Sequence, residues 1–230
     1  MSEVSETQGG AKPLWQPIGK SERRVLGVLV EKAKTTPENY PLSLASLIAG
    51  SNQKSNRAPQ MQLDEDDVVA ALDRLRALGA VREVQGSGRV NKFRHAAYEW
   101  LDVDAAGAAV MAELLLRGPQ TAGELRARAS RMHDFPDLGS LGETLDHLQS
   151  QGLVQALTPA GRGQTFAHAL YPADEQQYLA QKVRSETGDE TAAASEPRSA
   201  AIPPSWQQRI EQLEEELAEV KRRLDELTQV

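Results

Sequence analysis

Apolar residues recur at helical spacing in short blocks, and twice a run of such blocks gives way to a short alternating stretch. Val25, Leu26, Leu29 and Val30 form one stripe over 21–33, and Leu44, Leu47 and Ile48 form another over 43–50. A third helix carries LDRLRALGAV at Leu72–Val81, with Gly79 where a helix ends in a left-handed turn. A strand, a Gly-containing hairpin and a second strand through Phe93 and His95 follow. The order then repeats. Helices are predicted over 104–117 and 121–132, where Thr121 and Glu124 have the spacing of a capping box. LDHLQSQGLV at Leu145–Val154, with Gly152, opens the second strand-rich stretch.

The two runs are one internal repeat. Leu72–Val81 aligns with Leu145–Val154, and the same offset aligns Gly88-Arg89 with Gly161-Arg162, Phe93 with Phe166, His95 with His168 and Ala96 with Ala169. Three helices, a strand, a wing and a second strand are the order of a winged helix. The expected fold is α+β, mainly helical with small β-wings, as two such domains in tandem over 20–103 and 104–172. Residues 1–19 read as a flexible leader. Residues 173–204, which include the Ala/Ser/Pro-rich stretch SETGDETAAASEPRSAAIPP, read as an acidic low-complexity linker.

A last helix is predicted over 205–230, opened by Ser205 and Gln208 at capping-box spacing. Trp206, Ile210, Leu213, Leu217, Val220, Leu224 and Leu227 alternate in steps of four and three, which is a heptad seam. A coiled-coil homodimer is expected from the narrow stripe; a helix folding back on its own domain uses the same residues. The flanking charges favour a parallel pair, with Arg209 facing Glu214 and Glu216 facing Lys221 across the seam.

Charge changes the picture only when it is divided along the chain. The net charge is −7 over 230 residues. Residues 20–103 carry thirteen basic against eleven acidic residues, whereas residues 173–230 carry seven against thirteen. The acidity of the tail therefore hides a slightly basic front half. There are no cysteines, which removes disulfides, thiolate chemistry and Cys-ligated metal. Neither a long apolar run nor a signal-like leader is present, so the cytoplasm is the expected compartment and no membrane contact is expected.

Several segments resemble the YceH-like family of bacterial tandem winged-helix proteins. They are EKAKTTPENYPLSLASLIAGSNQKSNRAPQM at Glu31–Met61, GRVNKF at Gly88–Phe93, LLLRGPQTAGELRARASRM at Leu114–Met132 and the terminal heptads. The resemblance implies the fold. It implies no activity, because the family carries none that transfers.

The densest polar cluster is Asn52-Gln53-Lys54-Ser55-Asn56-Arg57, between the second and third helices. Asn52, Gln53, Lys54, Asn56 and Arg57 are residue types that contact phosphates and base edges. The same amides and Arg57 could instead tie down a long connection. Arg89, Lys92 and Arg94 belong to the first wing, where they suit a phosphate backbone or act as edge-strand charges that prevent aggregation. Arg126, Arg128 and Arg131 add basic character to the second repeat. Against DNA, the third helix opens with Asp64-Glu65-Asp66-Asp67, acids that suit the helix dipole but would face phosphates.

His95 and His168 sit beside a Phe at equivalent repeat positions and read as packing sites, while His133 and His147 have no second ligand at metal spacing. Neither a phosphate-binding Gly-rich loop nor a nucleophile motif is present. The expectation is a non-enzymatic protein without metal or cofactor that binds double-stranded DNA as a homodimer. The alternative is a protein–protein adaptor that uses the same domains as docking surfaces.

Overall fold

The computed structural model describes residues 15–85, 90–161 and 163–179. Most of the leader, Arg89 in the first wing, Ser205 and Gln208, and the whole seam Trp206, Ile210, Leu213, Leu217, Val220, Leu224 and Leu227 lie outside them.

The fold is mixed α+β with small antiparallel sheets, compatible with a winged-helix arrangement. The first half runs α1 (Lys20–Thr35), a 3-10 turn at Pro37–Asn39, β1 (Leu42–Ser43), α2 (Leu44–Ser51), α3 (Glu65–Ala77), β2 (Val81–Gln85) and β3 (Asn91–His95). A short helix α4 (Ala97–Leu101) leads into the second half. There α5 (Ala105–Arg117), β4 (Gln120–Thr121), α6 (Ala122–Ala129), α7 (Leu138–Ser150), β5 (Val154–Ala156) and β6 (Thr165–His168) repeat the order. Helical turns also cover 173–179. The sheets are β1-β3-β2 and β4-β6-β5, antiparallel throughout, so each central strand is the last of its half.

The repeat governs the packing in detail. Leu72 and Leu145, Leu75 and Leu148, Val81 and Val154, and Phe93 and Phe166 are buried pairs at equivalent positions. Gly79 and Gly152 both adopt positive φ, at 77° and 71°, and end α3 and α7. The next amides, of Ala80 and Leu153, return to Leu75 and Leu148 carbonyls at 2.9 Å each. Thr121 and Glu124 form the expected capping box, and Asp64 with Asp67 forms another at the head of α3.

One continuous core joins the halves, running from Ile18 to Leu170. Its centre is α1 against α5. Burial covers Arg23 to Glu31 without interruption in α1 and Gly107 to Leu116 in α5. Gly27 makes the crossing possible: a Cβ there would stand 2.9 Å from Leu116 Cγ and 3.3 Å from Leu115 Cβ. Backbone bonds stitch the same seam, from Ile18 N to Leu170 O at 3.1 Å and from Ala58 N to Leu116 O at 3.0 Å.

Candidate nucleic-acid interface and the buried charge network

Two buried carboxylates organise the junction of the halves. Glu31 stands four residues before the end of α1, and Glu113 four before the end of α5. Their side chains are 1% and 0% exposed. A lone ionised carboxylate in such a place is costly, so each must be paired. Arg57 grips Glu31 with both terminal nitrogens, Nη1 to Oε1 at 3.1 Å and Nη2 to Oε2 at 2.5 Å. Arg131 bridges the halves, donating from Nη1 to Glu31 at 2.5 Å and from Nη2 to Glu113 at 3.0 Å. Arg117 Nε lies 2.6 Å from Glu113 Oε1 as an ion pair, although its N–H is not aligned on that oxygen. Burial opposes the charge on Glu31, but hydrogen bonds and attraction from Arg57 and then Arg131 outweigh it and hold the carboxyl below its ordinary value.

This network absorbs most of the polar block at 52–57. Arg57 is 5% exposed and also donates to Gly50 O at 2.9 Å and Gln53 Oε1 at 2.9 Å. Asn52 clamps the loop from both sides, its Nδ2 donating to Leu63 O and its Oδ1 accepting from Leu63 N, both at 2.8 Å. Asn56, at a φ of 59°, accepts from Arg117. In this arrangement Asn52, Gln53, Asn56 and Arg57 are bonded within the loop and to its neighbours, and the guanidinium of Arg57 is buried. Lys54 differs: it is exposed, and among the described residues its side chain makes no hydrogen bond. Arg126 and Arg128 are likewise engaged internally, with Phe135 O at 2.9 Å and Gln120 Oε1 at 2.6 Å.

The sheet residues are arranged otherwise. Lys92 and Arg94 lie on β3, the central strand, where β1 pairs with Lys92 and Phe93 but does not reach Arg94. Strand alternation turns Val81, Phe93 and His95 inward and Arg82, Lys92 and Arg94 outward. Arg82 and Arg94 are directly opposite one another across β2 and β3, and both are exposed. Like charges so placed repel. Glu99, 3.8 Å from Arg82 and exposed, offsets this weakly. Arg82 was missed in the sequence because its partner across the sheet is set by hairpin register.

His95 and His168 are packing groups. Nδ1 of His95 accepts from Ala97 N, and Nδ1 of His168 accepts from Leu170 N, both at 3.2 Å. Burial lowers both imidazole pKa values, to about 4 for His95, where Lys34 and Arg94 reinforce it and Glu99 opposes it, and well below normal for His168. Among the described residues, no group of three or more His, Cys, Asp or Glu side chains is placed to hold a metal ion, and no helix is long and apolar enough to cross a membrane.

The family described as "Protein of unknown function, DUF480" matches residues 18–162. The chain belongs to this family. A UPF0502 protein of Rhodopirellula baltica is 63% identical over 190 residues, 83% of this chain and 80% of that protein. One of Geobacter sulfurreducens is 49% identical over 153 residues, 65% of this chain and 70% of its own length. A third, of Geotalea daltonii, is 53% identical over 134 residues, 58% of this chain and 62% of its own. The DUF480 match contains Glu31, Arg57, Glu113, Arg117 and Arg131, and stops short of the heptad seam.

Proposed function

We propose that this DUF480 chain is a non-enzymatic tandem winged-helix protein that binds double-stranded DNA through the outer face of its first sheet. The supporting observation is the facing pair Arg82 and Arg94 with Lys92 beside them. Their equivalents in the second half, Gln155, Ala167 and Thr165, carry no charge, and Ala167 is fully buried where Arg94 is exposed. Cations that repel each other in the free protein are relieved when phosphates come between them. Dimerisation through Trp206 to Leu227, in a parallel coiled coil, and a cytoplasmic location belong to the same proposal.

The adaptor reading has its own observation. Grooves at repeat-equivalent places are lined by Leu72, Asp73 and Phe93 in one half and Leu145, Asp146 and Phe166 in the other. Exposed apolar residues stand on them, Val69 and Val90 on the first and Leu138 on the second. Crosslinking in cells, with recovered DNA and recovered proteins counted separately, distinguishes the two. DNA recovered with the wild type and lost with R82Q/K92Q/R94Q supports the first reading. Protein recovered without DNA, and lost with V90D/L138D, supports the second.

A further inference from the structure

A cavity of about 400 Å³ opens where α1, the 58–61 segment and the end of α5 meet the 168–175 segment. Four cations line it, Lys20, Arg23, Arg24 and Arg117, against one acid, Glu175. That acid is already taken, since Arg23 Nη2 holds it at 2.5 Å. Arg23 also lies over the ring of Tyr171, 4.7 Å from its centroid.

Arg24 is the unusual member. It is 2% exposed, yet its guanidinium meets two backbone carbonyls, Ser51 O at 2.8 Å and Pro59 O at 2.6 Å, and its Nε is unpartnered. Among the described residues it has no carboxylate within ion-pair distance. Burial, and then repulsion from Arg57, lower its pKa to about 10 against the attraction of Glu31. Glu31 attracts Arg24 only from beyond ion-pair range, and Glu31 and Glu113 are in contact with Arg57, Arg117 and Arg131 instead. An interior cation without a counter-ion is costly, and an anion in the adjoining cavity would compensate it. Met61, Leu115 and Pro119 give the wall an apolar part, beside the rings of His168 and Tyr171.

We propose that this cavity is a binding site for a small organic carboxylate, its charge drawn by Lys20, Arg23 and Arg117 above the buried Arg24 and its apolar body resting on Met61 and Leu115. The site shares no residue with the outer face of the first sheet, and goes beyond the DNA reading. Residues of both halves line it, so a bound carboxylate touches both.

Isothermal titration of the full chain with benzoate, and with neutral benzamide as the control, tests this. Benzoate binds saturably and benzamide does not. Lys20 is exposed and Glu175 is half-exposed, so neither substitution disturbs the core. K20Q weakens benzoate at least threefold. E175Q, which frees Arg23, tightens it by a similar factor, a gain that misfolding cannot imitate. No saturable benzoate binding, equal binding of benzamide, or indifference to both substitutions overturns the proposal.

Discussion

Arg57 and Glu31 form a two-pronged ion pair in the interior, with side chains 0% and 1% exposed. A residue that suits a phosphate by type is thus the counter-ion of a buried carboxylate. The pair joins the 52–57 loop to α1, and through Arg131 it reaches α5 of the other half.

Removing Arg57 leaves Glu31 with Arg131 alone, and removing Glu31 leaves the buried Arg57 without a carboxylate. Arg57→Met is therefore expected to destabilise by about 3–5 kcal/mol, while the double replacement with Glu31→Leu recovers much of that loss. Urea unfolding of the two single variants and the double variant measures the coupling.

Asn52 and Lys54 are two residues apart and should behave oppositely. Asn52→Ala breaks both bonds to Leu63 and is expected to cost about 1–3 kcal/mol. Lys54→Ala is expected to leave the unfolding midpoint unchanged. Equal effects in thermal unfolding would contradict the tie-down role of this loop.

Leu75 and Leu148 are both fully buried at equivalent positions of α3 and α7. Truncation of either to Ala is expected to cost about 2–5 kcal/mol. A cost below about 1 kcal/mol at either, in chemical denaturation, would mean that the site collapses freely.

Because Nδ1 of His95 and of His168 accepts a backbone N–H, both rings must be the neutral Nε2–H tautomer. Their lowered pKa values mean that the unfolded chain takes up protons first. Their contribution to stability is complete above the ordinary imidazole value of 6.5 and declines as pH falls toward about 4, where His95 titrates in the folded state. Nitrogen-15 spectra of the rings at pH 6 and pH 5, with melting curves across the same window, check the tautomer and the sign.

Local chemistry was legible in the sequence wherever one stretch of chain carries it. The repeat, the glycines ending α3 and α7, the Thr121–Glu124 capping box and the buried leucines all follow from spacing. The short strands β1 and β4 and the helix α4 did not, because two to five residues hold too little periodicity. The charge network was hidden for another reason. Its pairs join residues 26, 100 and 18 positions apart. One signal could have exposed it: α5 is apolar on nearly every side, a pattern of complete burial, so Glu113 within it required a partner.

The proposed dimerisation rests on the seam at 206–227, outside the described residues. Leu217→Asp is expected to yield monomers in sedimentation velocity while the circular dichroism of the folded halves is retained. A variant that stays dimeric would place the interface elsewhere.

The salt dependence of duplex binding reads out phosphate contact by the outer face of the first sheet. Fluorescence anisotropy with a labelled duplex, from ~50 mM salt upward, compares the wild type with R82Q/R94Q. The variant is expected to bind more weakly, with a log–log slope shallower by about 1.8, roughly 0.9 for each lost phosphate contact. Absence of wild-type binding at ~50 mM salt, or an unchanged slope in the variant, would contradict phosphate contact by this face.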